Sequence, residues 1–241
     1  MENMKQVSTE VLDLLRNTDT CTVSNAIETF DVRMRNEGYI QDGIRCLLPQ
    51  LHPVVGYAVT GRIRTSNHPI ANLCYYHRID WWQYVDTLPS PRILVLEDMD
   101  RIPGIGAFVG KVHAQIAKAL NCVAYVSNGS VRDVHALERE SFQCFAGGTS
   151  VSHAYAHIME FGEPVEICGL KIAPGDLLQG DVNGVQTIPV EVAPRLPEAV
   201  AEIVKREAEL IHLCKSPGFS LENLATLLGR ESSKWQPPDH R

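Results

Sequence analysis

Apolar residues fall into two patterns along this chain. In the middle they form short unbroken runs. Arg92-Ile93-Leu94-Val95-Leu96-Glu97 and Val123-Ala124-Tyr125-Val126 each have the length of a buried strand. A longer run, Val54 to Ile63, predicts a further strand, and Cys46 to Pro53 before it is rich in turn residues. Between the runs the period lengthens. Lys111 to Leu120 puts Val112, Ile116 and Ala119 on one face, which predicts a helix, and Asp80 to Val85 is helical by pattern until Pro89 and Pro91 end it. Pro103 to Gly106 reads as a loop. Strand, loop, helix and strand in this order predict parallel βαβ packing.

The ends differ from the middle. Ser8 to Leu15 predicts a capped amphipathic helix, and a second helix is expected near Ser24. Beyond residue 140, Phe142–Phe145, His153–Glu160, Val165–Ile172 and Leu177–Ile188 read as short strands separated by Gly turns. Pro197 then opens a helix over 198–214, with Val200, Ile203, Val204, Ala208, Ile211 and Leu213 at helical spacing. Glu231 to Arg241 is polar with two prolines, an end expected to fray.

With 241 residues, 44% of them hydrophobic, the chain can bury one sizeable core, so a single domain over 1–241 is expected. A net charge of −7 argues against nucleic acid as a direct partner, since phosphate binding needs a basic face. A locally positive pocket in an acidic chain can still take a small anion. The seven cysteines are scattered without a Cys-x-x-Cys pair, which fits buried thiols in a reducing cytoplasm. The first residues hold no apolar signal core, and no run of about 18 apolar residues predicts a membrane span.

Chemistry concentrates at Gly129-Ser130-Val131-Arg132-Asp133, read as a turn after a strand, and at Gly110, 22 positions before Arg132. An Asp can hold a hard cation through oxygen, and an Arg can pair with a carboxylate or an enolate oxygen. An Arg–Asp dipeptide alone is usually an exposed ion pair worth little. Further along come Phe145-Ala146-Gly147-Gly148-Thr149-Ser150, Gly175 to Asp181, Asn183-Gly184-Val185 and Ile188-Pro189.

In order and spacing these segments resemble the RraA-like family over roughly residues 20–210. That family includes divalent-metal-dependent 4-hydroxy-4-methyl-2-oxoglutarate aldolases and the regulator of ribonuclease activity A. The resemblance implies a layered β/β/α fold related to the swivelling domains, with terminal helices, and assembly as trimers or hexamers. It places Gly110, Lys111, Val112 and His113 in the segment that cradles a substrate carboxylate. Arg132 matches the substrate-binding arginine, and Asp133 the ligand of Mg2+ or Mn2+. The implied function is a lyase that cleaves a 2-oxo acid to pyruvate, by aldol cleavage or oxaloacetate decarboxylation. The alternative is a non-catalytic regulator whose acidic surface engages a basic protein.

Three positions depart from the family pattern. Lys111 and Ala136 stand where acids are usual, and Asn128 where Asp is usual. Glu138 or Glu140 is a candidate to compensate for Ala136. Among the histidines, His113 is the catalytic candidate. His153 and His157 have helical zinc-pair spacing but fall in a predicted strand, where they would lie apart. His68 is expected in a turn, and Trp81 and Trp82 in packing.

Overall fold

The structure, a computed structural model, describes residues 6–69 and 78–229. Cys74 and the polar stretch from Glu231 lie outside them. Two capped helices begin the chain. In α1 (Thr9–Asn17) the Ser8 hydroxyl accepts from the Val11 N–H, and in α2 (Thr20–Glu28) the Asp19 carboxylate accepts from Thr22. The second helix therefore starts from an aspartate cap five residues before Ser24. A two-residue strand β1 (Arg45–Cys46) leads to the long β2 (Val54–Arg64).

The central part follows the parallel pattern. It runs α3 (Ile79–Thr87), β3 (Arg92–Asp98), β4 (Ala107–Val109), α4 (Lys111–Ala119), β5 (Cys122–Val131), α5 (Val134–Arg139) and β6 (Gln143–Thr149). Strand β2 pairs parallel with β3, β3 with β5, and β5 with both β4 and β6. The rest is antiparallel. It comprises β7 (His157–Phe161), the hairpin β8 (Val165–Ile167) and β9 (Leu170–Ile172), and the hairpin β10 (Leu177–Asp181) and β11 (Gly184–Ile188). Helices α6 (Leu196–Lys215) and α7 (Leu221–Leu227) follow. The main sheet has nine strands in the order β1-β6-β5-β3-β2-β10-β11, with β4 on β5 and β7 on β2.

The two-residue period of the strands sorts the core into layers. Leu94, Leu96 and Tyr125 face one way, against Trp81, Trp82 and Val85 of α3 and Ala114 and Ala117 of α4. Ile93, Val95, Ala124 and Val126 face the other way, against Val165, Ile167, Leu170 and Ile172 of the small hairpin. Helices thus cover one face and a second sheet the other, a mixed α/β arrangement layered as β/β/α. Trp81 is fully buried and Trp82 nearly so, as core packing requires.

Helices α1, α2 and α6 close a third apolar cluster against Val55, Tyr57, Leu177 and Ile188. Beneath it runs a buried polar seam. The Gln179 amide donates to the Leu15 and Thr18 carbonyls, both at 2.8 Å. Gln186 donates to the Thr20 carbonyl at 2.8 Å and to Gln179 at 3.0 Å. Asp181 accepts from the Thr20 N–H and hydroxyl at 2.8 and 2.7 Å.

Two expectations are corrected. The stretch Gly129 to Val131 is not a turn: β5 continues to Val131 because Ser130 and Val131 pair with Gly148 and Thr149. The register slips between Ser127 and Ser130, and a Cβ at Gly147 would lie 2.4 Å from the Asn128 carbonyl oxygen. Gly147 therefore marks a bulge with close backbone approach. His153 lies before β7, in the connection from β6, and only His157 is in the strand. On α6 only the first turns are core: Leu196 and Val200 are buried, whereas Val204 and Ile211 are exposed. Of the cysteines, Cys122 and Cys144 are buried, while Cys21 and Cys214 are exposed. Burial pushes the Cys122 thiol up to about 12, which makes it inert. Among the described residues no helix is long and apolar enough to cross a membrane.

Candidate active site

At the carboxyl ends of β4 and β5 the chain turns twice into helices, and the two turns meet. Val109 ends β4, and Gly110 is the N-cap of α4 without a side chain to cap it. The cap comes from across the sheet: the Lys111 N–H donates to Asp133 Oδ2 at 3.0 Å. The Arg132 N–H in turn donates to the Val109 carbonyl at 3.0 Å. A Cβ at position 110 would lie 2.7 Å from Arg132 Cγ and 2.8 Å from Asp133 Oδ2. Glycine is therefore required there by the crowding of Arg132 and Asp133, at an extended backbone with φ −147° that any residue could adopt.

Asp133 is the N-cap of α5, in the left-handed region at φ 58° and ψ 36°. A non-glycine residue held there carries strain, which clusters at functional sites. Asp and Asn tolerate this region best among residues with a Cβ. The turn points both side chains outward: Arg132 is 34% and Asp133 38% exposed, with Arg132 Nε 3.6 Å from Asp133 Oδ1.

A cleft of about 300 Å3 lies between these two turns. All six residues singled out by sequence line it: Gly110, Lys111, Val112, His113, Arg132 and Asp133. Phe108 and His153 complete the wall. Among the described residues the lining holds two cationic side chains and a single carboxylate, so the cleft is locally positive in an acidic protein and suits an anionic ligand.

The histidines divide differently from the sequence reading. His113 is 2% exposed, stacked on Phe108 at 4.4 Å between ring centroids and set edge-on to Trp82 at 5.3 Å. Burial pushes its imidazole down to about 4, against the opposing hydrogen bond of Nδ1 with the Phe108 carbonyl at 2.6 Å. It is a neutral part of the cleft floor at pH 7, not a partly exposed helix residue. His153 is exposed, whereas His157 is buried with Nδ1 on the Tyr155 carbonyl at 2.7 Å. Of these two, His153 lines the cleft. The sequence signal for it was the loop composition Thr149-Ser150-Val151-Ser152, which a strand assignment obscured. His68 lies against Tyr155 of the same connection, with ring centroids 3.9 Å apart and planes tilted by 44°.

The departures from the family pattern have visible consequences. Asn128 Oδ1 accepts from the Asp98 N–H at 2.7 Å, and its Nδ2 donates to the Asp98 carbonyl at 3.0 Å. An aspartate could not donate this second bond. Asp98 is itself buried, which raises its carboxyl above the usual range, and it accepts from the Gly104 and Asp100 N–H groups. Asn128 thus clamps the ends of β3 and β5. Neither glutamate replaces an acid at 136: Glu138 accepts from Gln50 at 2.6 Å, Glu140 pairs with Lys118 at 2.9 Å, and neither lines the cleft.

Among the described residues no group of three or more His, Cys, Asp or Glu is placed to hold a metal ion. Among the described residues Asp133 is the one carboxylate lining the cleft. Such a donor set fits a hard ion like Mg2+, which keeps several waters and binds through one or two carboxylates plus substrate oxygens. It fits no ion that needs a cage of protein ligands.

The chain resembles known proteins in sequence and in fold. The chain is 33% identical over 84 residues to a putative 4-hydroxy-4-methyl-2-oxoglutarate aldolase of Halalkalibacterium halodurans, a match covering 34% of this chain and 40% of that protein. The chain thus spans well under half the length of that relative. A crystal structure of an uncharacterized protein from Pseudomonas syringae pv. tomato superposes with a TM-score of 0.73 at 21% identity, covering 93% of this chain and 96% of that one. Streptomyces coelicolor RraAS2, described as an unusual member of the RNase ES inhibitor RraA protein family, superposes with a TM-score of 0.65 at 18% identity over 88% of this chain and 99% of that one. At these identities the two structures speak for the fold. The family described as RraA-like, Aldolase/RraA, matches residues 20–186, from α2 through to β11, and the chain belongs to it.

Proposed function

We propose that this protein is a divalent-metal-dependent carbon–carbon lyase that cleaves a 2-oxo acid to pyruvate. The substrate classes are a 4-hydroxy-2-oxo acid of the 4-hydroxy-4-methyl-2-oxoglutarate type and, sharing the same pyruvate enolate, oxaloacetate. One observation carries the reading: Gly110 to His113 and Arg132-Asp133, distant in sequence, are joined by the Lys111–Asp133 hydrogen bond around one positive cleft.

The residues divide the work as follows. The start of α4 turns the positive end of its dipole to the cleft and favours a carboxylate there. Arg132 offers a planar fork of donors to a carboxylate or to the enolate oxygen. Asp133 would hold Mg2+ or Mn2+, which as a Lewis acid stabilises negative charge developing on the 2-oxo oxygen. Lys111 adds a second cation beside the anionic substrate. Assaying pyruvate release from 4-hydroxy-2-oxo acids and oxaloacetate, with and without Mg2+, tests the proposal. Metal-stimulated release supports it, and no release from any substrate rejects it.

Lys111 favours the second reading, a protein-binding regulator, because it adds a cation to a cleft that, among the described residues, offers an ion a single carboxylate. At an effective dielectric near ~20, such repulsion costs on the order of kilocalories. Lys111→Glu is therefore expected to tighten Mn2+ binding by about tenfold or more, read by titration calorimetry. Unchanged affinity would remove Lys111 from the electrostatics of the site.

We also propose a trimer-based assembly. The exposed Val204 and Ile211 on α6 offer apolar surface for it. Light scattering at micromolar concentration is expected to give a multiple of the 26.8 kDa chain mass, and a monomer would reject it.

A further inference from the structure

We propose that His153 is the cleft's proton-transfer residue for aldol cleavage, an inference that rests on the lyase reading above. Breaking the C3–C4 bond of a 4-hydroxy-2-oxo acid requires loss of the hydroxyl proton. The O–H electron pair becomes the new carbonyl, the C3–C4 pair moves into the pyruvate enolate, and a base must take the proton. The other polar side chains that line the cleft among the described residues are poorly suited. Arg132 and Lys111, as cations, carry only donors. Asp133 already accepts the Lys111 N–H and is the residue suited to the metal. His113 is buried in the floor.

His153 is exposed on the cleft wall and carries the right nitrogen. Its Nδ1 lies 2.8 Å from the Ala154 carbonyl oxygen. A carbonyl oxygen only accepts, so Nδ1 bears the hydrogen and Nε2 carries the lone pair of the neutral ring. The support is rigid. A Cβ at Gly106 would fall 2.5 Å from the His153 carbonyl oxygen, so the two backbones pack without space. The Ala107 N–H donates to Ser152 at 2.9 Å, and the Ala156 N–H to His153 at 2.9 Å. Ala154 is held at φ 46°, the left-handed region that costs a residue with a Cβ. The hydroxyl proton passes to Nε2, and the imidazolium returns it to C3 of the enolate to complete pyruvate.

Decarboxylation makes a different demand, because carbon dioxide leaves oxaloacetate without a hydroxyl proton to remove and the enolate takes its proton from water. The test compares wild type with His153→Asn at saturating Mg2+, on 4-hydroxy-4-methyl-2-oxoglutarate and on oxaloacetate. Asn can place its amide N–H near the position of Nδ1 and has no base. We expect kcat for aldol cleavage to fall by about a hundred- to ten-thousandfold, the usual contribution of a positioned base, and by far more than kcat for oxaloacetate decarboxylation. Circular dichroism and thermal melting that match wild type report an intact fold. Equal loss of both activities, or loss of neither, overturns the assignment. A wild type active on oxaloacetate but on no hydroxy acid overturns it while leaving the lyase reading standing, and a wild type inactive on both fells the lyase reading and this inference together.

Discussion

Asp133→Asn is expected to lower metal-stimulated pyruvate release by about a thousandfold or more, the scale of a Lewis acid worth several kcal/mol to the transition state. Asparagine is a cleaner replacement than alanine. Position 133 sits at φ 58°, where Asn is tolerated and Ala strained. The Asn carbonyl can still accept the Lys111 N–H, so the junction of β4 with α4 should survive. The change removes the charge and little else. Circular dichroism and thermal melting should match wild type while Mn2+ binding is lost. A variant with wild-type turnover at added Mg2+ would exclude Asp133 as the ligand.

Arg132→Lys is expected to cost about 2.7–4 kcal/mol in transition-state stabilisation, the range for removing an oxyanion donor. Charge is kept, but the planar pairs of donors are not reproduced by an ammonium on a flexible stem. The Arg132 stem also packs within reach of Gly110, so its guanidinium leaves the crowded junction along a fixed path. The loss should appear in kcat more than in KM if the fork acts on the enolate, and in KM if it acts on the substrate carboxylate. Equal kcat/KM for the two proteins would reject both roles.

The central layers were legible because period and burial agree there. Arg92 to Glu97 and Val123 to Val126 are uninterrupted apolar runs, and buried parallel strands require that. The segments that line the cleft were also picked out, though through their likeness to a family and not through local chemistry. What stayed hidden depends on contacts far apart in sequence. Gly147 and Gly148 suggest a turn, yet they lie in β6 because a bulge in the neighbouring strand brings the Asn128 carbonyl too close for any side chain. His113 shares the spacing of an exposed helix residue, and only the arrival of Phe108 and Trp82 makes it part of the core. His153 was assigned to a strand by its apolar neighbours, and its place on the cleft wall is set by Gly106, 47 positions away. Strand β4, three residues long, is too short for any period to declare itself.

The polar seam under the first two helices bears on how the protein can be shortened. The family match begins at residue 20, an apparently natural point at which to trim the chain. Cutting there would remove Leu15 and Thr18, both carbonyl partners of the buried Gln179 amide. It would also uncover Val55 and Tyr57 where Val11, Leu12 and Leu15 now cover them. An abandoned buried amide costs about 1–3 kcal/mol before any apolar loss is counted. A fragment cut at the homology boundary would therefore open at the β10–β11 hairpin, and the minimal folding unit has to start at or before Val7, whose N–H donates to the Tyr57 hydroxyl at 2.9 Å.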